Sequence, residues 1–213
     1  MLKGINLTLM IGPAVPVPVP KAVIEALESV QVNGQGTKTG FQLTFNVSKK
    51  SPLLNVMLPA GYFDPMVTRV IIVVTLKGQP NVLMDGLVTR QELAPSSEPG
   101  QSKLTITGED LSVAMDVVEI KRPYPGMPEV AQIYSVLAPY AALGIVPIVI
   151  PPFIIETPAS GDGWGTQTGT DLQYVQQIAS RSGYVFLLNQ DQYWDRVLAT
   201  LVLTFGFPIH NLH

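Results

Sequence analysis

Cysteine is absent from the 213 residues, which excludes a disulfide framework, a thiolate nucleophile and a cysteine-ligated metal. Histidine is nearly absent as well, since His210 and His213 both sit at the extreme C-terminal end. Chemistry that needs an imidazole base, a Ser-His-Asp triad or a His-rich zinc site therefore has no material to work with. Charge is also scarce: Asp, Glu, Lys and Arg make up 14% of the chain, against 46% hydrophobic residues. The net charge is −3 and no basic block exists, which argues against nucleic acid as a main partner. A surface so poor in charge fits a chain that buries much of itself in an assembly, with membrane association as the alternative.

What is present is a run of β signals between residues 33 and 119. Phe41, Leu43, Phe45 and Val47 alternate with Gln42, Thr44, Asn46 and Ser48, which puts the apolar side chains on one face of a half-buried strand. Residues 69–76 are mostly apolar and β-branched, residues 77–81 read as a turn, and residues 82–92 return as a second strand. Asp85-Gly86 is expected to mark a bulge or kink in it. Leu104 and Ile106 alternate again within residues 102–107. Residues 110–118 read as a helix with Leu111, Ala114, Met115 and Val118 on one stripe. The expected product is a small antiparallel barrel or sandwich capped by that helix.

On either side the pattern is weaker. Residues 13–20 alternate Pro with Ala or Val and favour an extended or polyproline conformation. Lys3 followed by an apolar stretch invites a secretory-signal reading, but Gly12-Pro13 breaks that stretch and no small-residue cleavage site follows. Residues 21–29 suggest a short helix started by Pro20, with Val23, Ile24 and Leu27 on one face. Residues 51–65 look like an irregular loop packed by its own rings. Residues 121–128, with three prolines and a glycine, read as a stiff linker.

Beyond that linker, residues 129–142 form an amphipathic pattern that Pro139 should end or kink, and residues 145–155 are an apolar extended run. No charge occurs from Val130 to Ile155, yet four prolines and Gly144 argue against a membrane span. Residues 158–169 read as a glycine-rich loop without a Gly-Lys-Ser/Thr phosphate motif. Thr170-Asp171-Leu172-Gln173 matches a capping box, Leu172, Val175, Ile178 and Ala179 make a buried stripe, and Gly183 supplies a left-handed stop. Residues 184–188 then read as a strand, and residues 197–207 as an apolar strand or helix needing a partner.

Paired carboxylates for glycoside hydrolysis are the catalytic option to weigh, with Asp85, Glu92, Glu109, Asp110, Asp116 and Asp162 as the candidates. Acidic residues near a helix start commonly serve its dipole, and nothing pairs any of these with an apolar pocket that would raise its pKa. Nucleophile, base and orienter are not assembled, so the reading is non-enzymatic, with no catalytic, cofactor-binding or metal-ligating residue.

Five stretches occur in an order that resembles a known family: GFQLTFNVSKKS, VTLKGQPNVLMDGLVTRQEL, LTITGEDLSVAMDVVE, VAQIYSVLAPYAALGIVP and GTDLQYVQQIASRSGYVFLL. Across residues 40–188 the chain is similar to the phage late control protein D family, the baseplate hub of contractile tails. The same domain forms the N-terminal part of type VI secretion spike proteins. The resemblance implies a mainly β fold with helices (α+β): a tube-like antiparallel β-barrel module at residues 1–120, a linker at 121–128, and a smaller α/β segment at 129–213. It implies a structural ring between the tail tube protein and the spike protein, with a virion tail baseplate or injection particle as its location and the bacterial cytoplasm as the place of assembly. A homo-oligomer follows, a trimer if two barrels lie in each chain and a hexamer if there is one. The second barrel and an aromatic-Trp-Gly-Pro segment are not found after Tyr193-Trp194, where Asp195 stands instead. Alternatives are a tail-tube-like or membrane-docked tail component, or a domain associated with cell-wall hydrolysis.

Overall fold

Alternating apolar residues build most of the structure, a computed structural model that describes residues 5–13, 15–35, 38–98, 100–149, 165–181, 183–190 and 197–203. The chain divides into two compact units, one made mainly of residues before Met115 and the other mainly of residues after it. Antiparallel sheet dominates, with a few helices, so the class is α+β.

The first unit contains strands β1 (Ile5–Pro13), β2 (Val17–Pro18), β3 (Leu27–Gln35), β4 (Lys38–Val47), β5 (Thr68–Leu76), β6 (Gln79–Ala94) and β7 (Ser102–Asp110). They form one sheet in the order β2-β1-β5-β6-β7-β4-β3. β2 and β3 stand at the two ends of that order, joined in sequence by helix α1 (Lys21–Ala26). A closed barrel is not seen among these pairings.

Period-two alternation decides which face is filled. Phe41, Leu43, Phe45 and Val47 of β4 are all buried, as their spacing requires. They meet Leu104 and Ile106 of β7, Val70 and Ile72 of β5, Met84 and Val88 of β6, and Leu9 and Ile11 of β1 in one apolar cluster. Phe63 closes it, with its ring centroid 5.5 Å from that of Phe45. Full burial of each such side chain is worth about 1.5–3 kcal/mol. The opposite face carries a smaller cluster of Met10, Ile71 and Val73, so β5 is buried on both sides from Thr68 to Val73.

Several local expectations change. Residues 5–13, expected only as an extended lead-in to the prolines, form a full strand paired along its length with β5. The turn expected over 77–81 is confined to Lys77 and Gly78, whose φ of 50° and 85° match a tight hairpin turn, and β6 resumes at Gln79. The register irregularities that involve β6 fall between Ile72 and Val73 of its partner β5 and between Val88 and Arg90, not at Asp85-Gly86. Gly86 serves close approach instead, since a Cβ there would overlap the Glu109 carbonyl. Helix α1 stops at Ala26, where Leu27 enters β3, and only Val23 of the expected face is buried. Residues 51–65 include one wide helical turn, Leu53–Met57.

The capping helix expected over 110–118 is replaced by strand, a 3₁₀ turn and coil. Asp110 closes β7, Leu111–Asp116 is the turn, and Val118 is exposed. The Asp110 carboxylate explains the break: it accepts from the backbone N–H groups of Ser112 and Thr39, both at 2.9 Å, and so caps a turn rather than a helix.

The second unit begins with β8 (Glu119–Tyr124), so residues 121–124 of the expected linker are strand. Helix α2 (Glu129–Leu137) follows and gives way at Pro139 to a 3₁₀ segment, Ala138–Leu143, ended by Gly144 at φ 80°. β9 (Ile145–Val149) takes the start of the apolar run, and the rest of that run lies outside the described residues. β10 (Gly165–Thr170) turns the end of the expected glycine-rich loop into a strand paired with β8. Helix α3 (Asp171–Arg181) starts with both capping-box bonds at 3.2 Å, between Thr170 and Gln173. β11 (Tyr184–Gln190) and β12 (Val197–Leu203) complete a three-stranded sheet in the order β11-β12-β9, with β12 parallel to β9. No helix among the described residues is long and apolar enough to cross a membrane.

Packing in the first sheet is also tight at Gly108, where a Cβ would overlap the Phe41 ring and the Leu87 carbonyl. Gly108→Ala is expected to lower stability by about 2–3 kcal/mol through overpacking. Gly34→Ala, where the nearest neighbour is the Thr39 hydroxyl 3.9 Å away, is expected to change it by less than about 0.5 kcal/mol. Urea titration of both variants checks the contrast.

Candidate functional site

The carboxylates weighed as catalysts are each committed to a structural contact or stand apart. Asp85 is buried on β6 against Arg69 of β5, and the guanidinium donates through Nε to Oδ1 at 2.7 Å and through Nη2 to Oδ2 at 2.6 Å. The two residues are 16 positions apart in sequence, and the hairpin sets them diagonally across from one another, Arg69 opposite Leu87 and Asp85 opposite Ile71. Burial pushes the Asp85 carboxyl above its ordinary range, while the hydrogen bonds and charge of Arg69 oppose that rise. Glu92 pairs with Arg90 on the surface, Asp110 caps the turn after β7, and Asp116 accepts from the Thr170 hydroxyl at 2.7 Å. Glu109 is exposed on β7, and Asp162 lies outside the described residues. No two of the described candidates share a cleft in the way glycoside hydrolysis needs.

A second polar cluster, not anticipated from the sequence, lies inside the second unit. The Tyr124 hydroxyl donates to Gln167 Oε1 at 2.9 Å, and Gln167 Nε2 donates to Asp171 Oδ1 at 2.5 Å. The Tyr140 hydroxyl donates to the other oxygen of Asp171 at 2.7 Å. Tyr124 stacks on Tyr174 with centroids 5.7 Å apart, and Tyr174 donates to Gln132 Oε1 at 2.5 Å. Gln132 Nε2 in turn donates to the Met127 carbonyl at 2.6 Å. Burial and the neighbouring Asp171 carboxylate both raise the Tyr140 hydroxyl well above the ordinary tyrosine range, so it stays a donor. The chain of partners ties β8, β10, α2 and α3 together. Among the described residues no group of three or more His, Asp or Glu could hold a metal ion.

The surface of the sheet offers a further candidate. Leu7, Leu76 and Leu83 are 40%, 44% and 46% exposed at the end of the sheet where β5 turns into β6. Val15, Val17, Met66 and Val67 are exposed apolar residues at the opposite end of the same strands. The alternation rule marks Leu7, Val74 and Leu76 as continuations of the core face, but only the structure shows that this face runs past the core.

Arg69→Met removes the guanidinium that offsets burial of the Asp85 carboxylate and is expected to cost about 3–5 kcal/mol at pH 7, with the double variant Arg69→Met/Asp85→Leu recovering most of it. Without Arg69 the burial that raises the Asp85 carboxyl is no longer opposed by the guanidinium, so its folded-state pKa lies further above the unfolded value. Stability of Arg69→Met is therefore expected to be highest below about pH 4 relative to wild type and to fall as pH rises through the folded pKa. Urea titrations of the single variant, the double variant and wild type between acidic and neutral pH measure both effects.

No protein-family model matches the chain, and no curated protein matches it. Solved structures do match. A tail protein from Neisseria meningitidis MC58 superposes with a TM-score of 0.55 at 15% identity, over 92% of this chain and 50% of that one. The lidded Francisella PdpA-VgrG complex gives a TM-score of 0.63 at 11% identity, over 96% of this chain and 29% of that one. An E. coli component of the type VI secretion system, described as similar in structure to T4 bacteriophage tail proteins, gives 0.56 at 14% identity, over 94% and 46%. This chain thus spans half or less of the length of each. At such identities the matches establish the fold alone, which is that of phage tail and type VI secretion tail proteins.

Proposed function

We propose that this chain is a structural component of a contractile phage tail or a related injection particle, and that it acts there as a baseplate hub. In this reading copies form a ring that joins the tail tube to the central spike. The observation that carries it is the fold shared with tail proteins over 92% to 96% of the chain. The scarcity of charge and the apolar residues exposed at both ends of β1 and β5 support it, because a protein that works by assembly needs surface to bury. The β sheet of the first unit serves as the tube-like wall, and the second unit, with residues 129–213, is the smaller part attached to it. A trimer is favoured if the partner strands of a second wall come from elsewhere in the particle, and a hexamer if each copy supplies a single wall segment. Assembly takes place in the bacterial cytoplasm, and the finished ring resides in the baseplate.

Negative-stain microscopy with native mass measurement on the purified full chain tests the reading. Rings of three or six copies are the expected outcome. A monomer that persists across the whole accessible concentration range sinks the proposal.

A further inference from the structure

Asn33-Gly34 is a dipeptide that tight hairpin turns favour, yet both residues lie inside β3, and the ladder runs on to the pair Gln35–Lys38. Asn33 is the only asparagine in the chain followed by glycine; the others precede leucine, valine or glutamine. The ladder fixes where the Gly34 amide points. Opposed residues of an antiparallel pair alternately exchange hydrogen bonds and turn their N–H and C=O groups outward. Gly34 stands opposite Thr39, and the Thr39 N–H donates at 2.9 Å to Asp110 of β7, on the far side of β4. Gly34–Thr39 is therefore an outward-facing pair, and the Gly34 N–H points away from β4. β3 ends the strand order, so no strand among the described residues lies on that side.

The side chain of Asn33 is equally unhindered. Val32 packs against the core, so Asn33 lies on the opposite face, where it is exposed. Directly across the ladder is Gly40, which has no side chain to cover it. Among the described residues the Asn33 amide has no hydrogen-bond partner. Those of Asn55 and Asn81 are held, donating to the Lys49 carbonyl at 2.6 Å and the Gln79 carbonyl at 3.1 Å. A carboxamide with room to turn thus sits beside a bare backbone nitrogen with no bond to break.

We propose that Asn33 is a site of self-modification in the folded protein. The Gly34 nitrogen attacks Asn33 Cγ and forms the new N–C bond of a succinimide. The Cγ–Nδ2 bond breaks, and Nδ2 leaves as ammonia with the proton given up by the Gly34 nitrogen. Water then opens the ring at either carbonyl, leaving aspartate or isoaspartate at position 33. Ring closure requires the backbone to leave the extended form, and Asn33 lies near the hairpin end of its ladder, where local opening costs least. The glycines at 34 and 40 lower that cost further. Either product adds a negative charge to a chain whose net charge is −3. Isoaspartate also inserts a methylene into the backbone opposite Gly40, which loosens the end of the β3–β4 hairpin.

Incubation of the purified, folded full chain at mildly alkaline pH tests the inference. Peptide-resolved mass spectrometry follows the exchange of amide for hydroxyl, and an isoaspartyl methyltransferase reports isoaspartate. Conversion at Asn33 is expected at a rate within about tenfold of that in the urea-unfolded chain, with Asn55 and Asn81 intact. Gly34→Ala puts a methyl group beside the attacking nitrogen, where the packing has room for it, and is expected to slow conversion about tenfold. Asn33→Gln keeps an exposed amide but demands a larger ring, and is expected to abolish the charge gain. Asn33 surviving in the folded chain after the unfolded chain has converted overturns the inference. So does conversion of Asn81 at the same rate, or an undiminished charge gain in Asn33→Gln.

Discussion

The pairing of β4 with β7 is the constraint on which the first unit depends. Phe45 faces Leu104, Leu43 faces Ile106, and Phe41 faces Gly108, so a phenyl ring occupies the space a side chain would take. A shift of one residue would turn every one of these apolar groups outward, so the register is strongly specified. Once β4 and β7 are locked, β6 can cross at Gly86 against the Glu109 carbonyl, and β5 and β1 follow in order. The face of the sheet opposite this core holds the buried Arg69–Asp85 pair. A buried ion pair adds little net stability, but it penalises any arrangement that separates the two charges. Its position across the β5–β6 hairpin makes it a check on that hairpin's register.

The second unit solves the same problem with polar contacts. Its strands are short and its sequence is broken by proline and glycine, so a long apolar register is not available. Tyr124, Gln132, Gln167, Tyr174 and Asp171 instead satisfy one another in a buried chain, and the capping box sets where α3 begins. Such a network is sensitive to position because each partner left unpaired costs the desolvation of a buried polar group. The two units therefore specify their folds by different physical means, shape complementarity in one and hydrogen-bond complementarity in the other.

A fold of this kind without an assembled reactive cluster directs attention to surface and edge. The ribbon at Leu7 and Leu76 exposes apolar groups that an assembly can bury, while Val30 and Val32 pack against the core. The low charge of the chain fits the same purpose, since each charge buried at a joint would need a partner.

Much of this was legible in the residues. The alternation at Phe41–Val47 reported a buried face, Thr170 to Gln173 reported a helix start, Gly183 a helix stop, and Pro139 the end of α2, because each rests on contacts within a few residues. The same alternation at Leu7, Leu9 and Ile11 was present but masked by the prolines that follow, so β1 was underrated. Asp110 looked like a helix start because the bond from the Thr39 N–H, 71 positions away, has no local signature. The pairing of Arg69 with Asp85, the tyrosine and glutamine chain, and the open strand order depend on which elements become neighbours. The sequence by itself determined the local periods, the stops and the lack of cysteine. Only the tertiary structure decided which polar groups are buried together and which edges stay open, because those follow from long-range pairing that no short stretch encodes.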